Sequence, residues 1–172
     1  PRRQVIAMDP ATGENLWTFR ETPTIRHSRS PRQAYGKGVA YAEVNGRGVI
    51  YITTPGFFLW ALDAKTGQPL ENWGSAVPLE GFGDSGVVDL IPHLVEDWGP
   101  WQDYVIAGGS YDPNYGIPRE LGMVTASAPP IVVNGVVVVL VGHQPSYGQT
   151  RIENVPGDIM GFSAETGEFM WK

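Results

Sequence analysis

The chain has 172 residues and a formal net charge of −6, a balance that argues against a nucleic-acid partner. It contains 22 Gly and 15 Pro but no Cys, which removes disulfides, thiolate ligands and cysteine nucleophiles and leaves the redox compartment open. No apolar run approaches the ~20 residues of a membrane span, since Ile131 to Val141 is the longest and Asn134-Gly135 breaks it.

Short Val/Ile/Tyr/Phe runs punctuated by Gly and Pro predict strands over 4–8, 14–19, 38–44, 48–53, 58–62, 103–107, 130–133, 136–142, 158–163 and 168–171. Asn45-Gly46 and Asn134-Gly135 are two-residue hairpin turns between alternating apolar residues. One short helix fits within 87–98, where Pro92 interrupts it. The chain opens on Pro1-Arg2-Arg3 without Met and closes on Trp171-Lys172 directly after a predicted strand, so it is expected to be part of something longer.

One phrase is written three times: Asp9-Pro10-Ala11-Thr12-Gly13, Asp63-Ala64-Lys65-Thr66-Gly67 and Ser163-Ala164-Glu165-Thr166-Gly167. Each copy follows an apolar run. Trp17 and Trp171 follow four residues after their Gly. The Asp or Ser accepts backbone N–H bonds two residues on, and the Gly supplies the positive φ that ends the turn. Trp73 lies six past Gly67, so Leu70 is expected to fill the aromatic slot of the second copy. The aromatic suits packing between adjacent sheets.

Gly13 to Gly67 spans 54 residues and Gly67 to Gly167 spans 100. A four-stranded propeller blade takes roughly 40–50. The expected architecture is therefore all-β, about 2.5–3 blades of a β-propeller over 1–172, with a loop-rich insertion over 74–125 that covers a site. Closed propellers have about 4–8 blades, so further chain or other copies are expected to complete the core.

The phrases Gly38-Val39-Ala40-Tyr41, Ala61-Leu62-Asp63-Ala64-Lys65-Thr66-Gly67, Ser127-Ala128-Pro129-Pro130-Ile131-Val132-Val133 and Thr150 through Phe162, taken in this order, resemble the pyrroloquinoline quinone (PQQ) dependent dehydrogenases. The glucose dehydrogenase branch is the nearer likeness, with methanol and ethanol dehydrogenases as cousins. The likeness implies the early blades of an eight-bladed periplasmic quinoprotein, with membrane association through a segment not present here. It also implies PQQ on a divalent cation, usually Ca²⁺, a sugar or alcohol substrate, and ubiquinone or a cytochrome as electron acceptor.

Residue by residue, the resemblance points to Lys37, where methanol dehydrogenases carry an Arg at the quinone edge. A cation suits negative charge building on quinone oxygens, though Lys lacks Arg's fork; Arg32 is the fallback. Ser127 matches a hydroxyl that bonds the cofactor. Arg151 suits a PQQ carboxylate, or pairs Glu153 instead. Glu153 and Asn154 are the metal-ligand candidates, since Ca²⁺ takes hard oxygens. His143 lies where alcohol dehydrogenases pack small residues beside the quinone ring. His27 and His93 show no spacing signal. The adjacent cysteine pair of the alcohol dehydrogenases is missing, and the family's catalytic Asp belongs to a later blade. No catalytic base is therefore assigned, and Asp9 and Asp63 read as turn residues.

Two other readings stand beside the enzyme. The Thr-Gly hairpins alone fit a non-catalytic propeller that binds proteins. Trp98, Trp101, Tyr111 and Tyr115 suggest sugar stacking in a lyase or hydrolase, without paired-carboxylate spacing to support it.

Overall fold

In the computed structural model, residues 4–30, 33, 38–126, 128–143 and 153–172 are described. In chain order the elements are β1 (Val5–Met8), β2 (Asn15–Phe19), α1 (Ile25–Arg29), β3 (Ala40–Val44), β4 (Arg47–Thr53), β5 (Phe58–Asp63), β6 (Val87–Asp89), α2 (Leu90–Val95), α3 (Gly99–Ile106), β7 (Val124–Ala126), β8 (Ile131–Val133), β9 (Val136–His143), β10 (Ile159–Ser163) and β11 (Phe169–Trp171). They form three antiparallel sheets: the β1-β2 hairpin, a β3-β4-β5-β6 sheet, and a β11-β10-β9-β7 sheet with β8 also paired to β9. These are successive propeller blades, as the repeated phrase predicts.

The middle sheet is covered on both faces, and all six residues of β5 are buried. Alternation along the strand divides them. Leu59 and Ala61 join Val49, Tyr51, Trp73, Val137, Val139, Met160 and Phe162 in a core shared with the third sheet. Phe58, Trp60 and Leu62 face the other way, against Val5 and Phe19 of the first hairpin. Full burial of each such side chain contributes about 1.5–3 kcal/mol. The outward faces of the end sheets lack such cover. Ile6, Met8 and Leu16 are exposed on the first, and Ile131, Val133, Leu140, Ile159 and Trp171 on the third.

The turn phrase locks one blade to the next. In each copy the Asp or Ser side chain accepts the backbone N–H three residues on, at 2.8, 2.9 and 3.1 Å. Gly13, Gly67 and Gly167 all have φ near +75°, at 74°, 72° and 76°. Trp17 donates through Nε1 to the Ala64 carbonyl at 3.1 Å and lies across Gly67. Trp73 donates to the Ala164 carbonyl at 3.0 Å and lies against Gly167. The slot expected for Leu70 therefore belongs to Trp73: an Asn72 with positive φ and a Gly74 let the chain turn and reach it.

Residues 103–107, expected as a strand, fall in α3 and its C-terminal cap instead. Pro100 occupies the first turn, where a missing N–H costs nothing, and Val105 and Ile106 point to solvent rather than into a sheet. Pro92 is likewise tolerated because it sits early in α2, whose N-cap is Asp89. No described helix is long and apolar enough to cross a membrane.

Candidate functional site

The antiparallel registers give each sheet two distinct ends. At one end lie the Asn-Gly hairpins and the Thr-Gly turns, tied together by Ala64 N to Gly48 O at 3.0 Å and Ala164 N to Gly135 O at 2.8 Å. At the other end lie Gly38 before β3, the Thr54–Phe57 turn between β4 and β5, the approaches to the join between β7 and β8, the end of β9 and the approach to β10. The described segments that carry or flank the site residues named from sequence fall on this second end, opposite the Thr-Gly phrase.

Lys37, Ser127 and Arg151, with the fallback Arg32, lie outside the described residues. Some of their flanks are described, and two of these meet. A Cβ built on Gly38 would stand 3.5 Å from Pro129 Cβ, so the residue after Lys37 touches the segment that follows Ser127. Thr53 Oγ1 donates to the Ala128 carbonyl at 3.1 Å. Ser30 Oγ donates to Thr125 Oγ1 at 2.8 Å, and Thr125 Oγ1 donates to the Pro55 carbonyl at 3.4 Å. His143 is the last residue of β9, its backbone paired with Val124. Glu153 and Asn154 are exposed in the segment before β10. Among the described residues, no three His, Asp or Glu side chains converge as a metal site.

The same end carries a polar cluster that sequence reasoning missed. Arg26 on α1 donates through Nη1 to both Asp89 oxygens, at 2.9 and 3.1 Å, and to the Tyr111 hydroxyl at 2.6 Å. Its Nη2 reaches the Phe57 carbonyl at 3.3 Å, and its guanidinium lies 3.4 Å from the Phe58 ring centroid. Tyr111 donates to Asp89 at 2.5 Å. Burial, then the Asp89 charge, pushes the Tyr111 hydroxyl up, so it stays a donor. Phe57 itself has φ +62°, a left-handed conformation that costs about 1–3 kcal/mol in a non-glycine residue and that the surrounding contacts hold in place. Beside it, Glu21 accepts from Trp60 Nε1 at 2.6 Å, and its other oxygen lies 3.6 Å from His27 Nδ1. The Arg26 and Asp89 partners are 63 residues apart, and no local spacing announces them.

These contacts clamp residues 89–111 onto α1. They also engage several of the aromatics of that region. Trp101 packs on Tyr104 and Tyr111 at ring distances of 5.3 and 6.0 Å, the Arg29 guanidinium lies 4.6 Å from the ring of Tyr115, which is half-exposed, and Trp98 packs on the core. The cavity between α1 and residues 115–124 has a volume of about 30 Å³, enough for a water or two, whereas the open cleft lined by Arg29, Tyr104, Asp112 and Tyr115 has about 680 Å³.

Residues 1–172 match the PQQ family model described as glucose/ethanol/alcohol dehydrogenase, beta-propeller domain. The chain belongs to this family. It is 32% identical over 97% of its length to a glycerol dehydrogenase large subunit of Gluconobacter thailandicus, and spans only 19% of that protein. A europium-containing methanol dehydrogenase shares its fold with a TM-score of 0.57 and 19% identity, over 98% of this chain and 20% of that one. A quinohemoprotein alcohol dehydrogenase from Comamonas testosteroni does so with a TM-score of 0.54 and 22% identity, over 98% and 18%.

The family implies PQQ, a planar tricarboxylate. The residue types named from sequence suit it in charge and donor chemistry. Lys37 and Arg151 are cations for carboxylate and quinone oxygens, and Glu153 and Asn154 offer hard oxygens of the kind Ca²⁺ takes.

Proposed function

We propose that this chain forms one sector of a PQQ-dependent dehydrogenase that oxidises an alcohol, polyol or sugar in the periplasm. The observation that supports this reading most directly is the gathering, at one blade end, of Gly38 beside Lys37, Ala126 and Ala128 beside Ser127, and the end of β9 at His143. Lys37 and Arg151 would hold the quinone edge and its carboxylates, Ser127 would donate to it, and Glu153 with Asn154 would face the cation, expected to be Ca²⁺. When bound, PQQ supplies the hydride acceptor. The base that takes the hydroxyl proton belongs to another blade, and the electrons leave for ubiquinone or a cytochrome. Further blades stacking on Ile6, Met8 and Leu16 at one side and on Ile131, Leu140, Ile159 and Trp171 at the other would cover the exposed apolar faces.

The test is reconstitution of the full gene product with PQQ and Ca²⁺, followed by dye-linked oxidation of glycerol, other polyols, sugars and primary alcohols. Quinone absorbance that stays with the protein and oxidation of at least one class is the expected result. No retained quinone and no oxidation would overturn the reading.

A further inference from the structure

Tyr115 differs from the other aromatics of its region. Trp98 packs on the core, Trp101 packs on Tyr104 and Tyr111, and the Tyr111 hydroxyl is held by Arg26 and Asp89. Tyr115 is 48% exposed, with the Arg29 guanidinium 4.6 Å from its ring centroid. It lines an open cleft of about 680 Å³ together with Arg29, Tyr104, Asp112, Arg119 and Glu120.

The walls of this cleft are held by hydrogen bonds of their own. Arg26 N donates to the Asn114 carbonyl at 2.8 Å and Ile25 N to the Asn114 side-chain oxygen at 3.0 Å, which fixes the 112–116 turn on α1. Tyr115 N and Gly116 N close that turn on the Asp112 carbonyl, at 3.0 and 2.8 Å. Leu121 N and Gly122 N close a second turn on the carbonyls of Pro118 and Arg119, at 3.0 and 3.1 Å. Tyr104 is seated over Gly109, where an added Cβ would stand 2.3 Å from its ring. A ligand therefore meets a largely preformed site, and little ordering is left to oppose its binding.

The lining selects the class of ligand. Two guanidiniums and two carboxylates line the cleft, so their formal charges cancel and neither an anion nor a cation gains a net field. Among the described lining residues Pro118 is the only aliphatic side chain, so an acyl chain or an apolar peptide anchor would bury almost nothing there. Carboxylates only accept hydrogen bonds and guanidiniums only donate them, whereas a hydroxyl does both. Neighbouring hydroxyls on one ring can therefore satisfy acceptors and donors set side by side. The half-exposed Tyr115 ring adds a flat apolar surface that matches the C–H face of a pyranose. A neutral sugar ring combines these features in one molecule.

We propose that this cleft is an accessory binding site for a neutral saccharide, with a pyranose unit resting against Tyr115 and its hydroxyls on Arg29, Asp112, Arg119 and Glu120. Its role is retention: it concentrates saccharide at the protein surface. The site needs no quinone and no residue outside the described ones, so it goes beyond the dehydrogenase reading and does not depend on it.

The test is calorimetric titration of maltose into the full gene product prepared without quinone, with inorganic phosphate as an anionic competitor. Saturable binding with a Kd in the millimolar range is expected; Tyr115→Ala should weaken it about tenfold or more, and Tyr115→Phe should stay within about twofold of the wild type. Arg119→Ala, at an exposed position, should weaken binding about threefold or more and decides the matter if Tyr115→Ala does not fold. No saturable binding overturns the proposal. Binding left unchanged by Tyr115→Ala, or by Arg119→Ala where that variant decides, also overturns it, since the sugar would then sit elsewhere. Displacement of maltose by phosphate overturns it as well, because the cleft would then be an anion site. Quinone uptake is measured separately on the same proteins: its loss in Tyr115→Ala would assign the ring to the cofactor site and overturn the proposal, whereas a wild type that takes up no quinone but binds maltose supports the proposal and overturns the dehydrogenase reading alone.

Discussion

Trp73 and Ala164 meet across the seam between the second and third blades, the indole N–H donating to the carbonyl at 3.0 Å. The same carbonyl accepts from the Tyr51 hydroxyl at 2.6 Å, and the two rings lie 5.9 Å apart. Burial pushes the Tyr51 hydroxyl up to about 12, so it remains a donor throughout the accessible range. Either donor alone satisfies the carbonyl. Trp73→Phe and Tyr51→Phe should each cost about 1 kcal/mol beyond any packing loss, and the double variant should cost more than their sum because a buried carbonyl then has neither donor. Urea denaturation of the four proteins measures the coupling. Simple additivity would mean that the carbonyl is satisfied some other way.

The three turn glycines share one backbone conformation and differ in their surroundings, which separates conformational strain from contact. Gly13 has φ +74°, and a Cβ added there would meet nothing within 4 Å, so Gly13→Ala should cost about 1 kcal/mol. At Gly67 that Cβ would stand 2.4 Å from Trp17 Cε3, and at Gly167 2.6 Å from the Gly74 backbone nitrogen. Gly67→Ala should cost a few kcal/mol as Trp17 leaves its seat, and Gly167→Ala at least as much, because backbone yields less than a side chain. Thermal midpoints of the three variants should fall in that order.

The blades are legible in the sequence because their signals are local. A three-times repeated turn, two Asn-Gly hairpins and alternating apolar strands each determine structure within about ten residues. The Asp9 turn illustrates how local: hydrogen bonds from Thr12 and Ala11 hold its carboxyl below the usual range. The 99–106 helix is hidden because Tyr104, Val105 and Ile106 look like a strand while the decisive residue, Pro100, stands at the start. The Trp73 seat is hidden because rigid spacing points to Leu70, and Asn72 and Gly74 bend the chain around the count. Of the site, sequence order locates the segments, whereas the Arg26–Asp89–Tyr111 and Ser30–Thr125 contacts join residues 22 to 95 apart and have no sequence signature.

The Arg26–Asp89 pair is nearly dry, with side-chain exposures of 4% and 11%. Removing one partner leaves a buried charge without its counterpart, at about 3–5 kcal/mol. Arg26→Met and Asp89→Ala should both be strongly destabilising. Asp89→Ala also loses the N-cap that accepts from Ile91 N at 3.2 Å, worth about 1 kcal/mol more. Asp89→Asn keeps that cap and should be the milder of the two. Denaturant midpoints check the ranking, and equal losses in Asp89→Ala and Asp89→Asn would remove the cap from the account.

Two titrating groups divide the pH dependence of stability between separate windows. The Arg47 guanidinium at 2.6 Å, helped by the N–H groups of Thr66 and Lys65, lowers the Asp63 carboxyl to about 2. Its folded value is the lower one, so its stabilisation is complete above the ordinary value of 3.8 and is lost as pH falls toward about 2. His93 stacks on Phe169 at 4.8 Å and meets Phe162 edge-on at 5.6 Å; burial there lowers its value below the ordinary 6.5. The unfolded chain then binds a proton more readily than the folded one, so stability rises with pH as the solution passes upward through the window below 6.5. Asp63→Asn should flatten the melting-temperature profile below about pH 4 and leave the neutral region alone, whereas His93→Phe should flatten it between about pH 5 and 7 and leave the acid limb alone. Melting curves taken at half-unit steps of pH resolve the two. A His93→Phe profile parallel to the wild type through the neutral region would show that another group carries that slope.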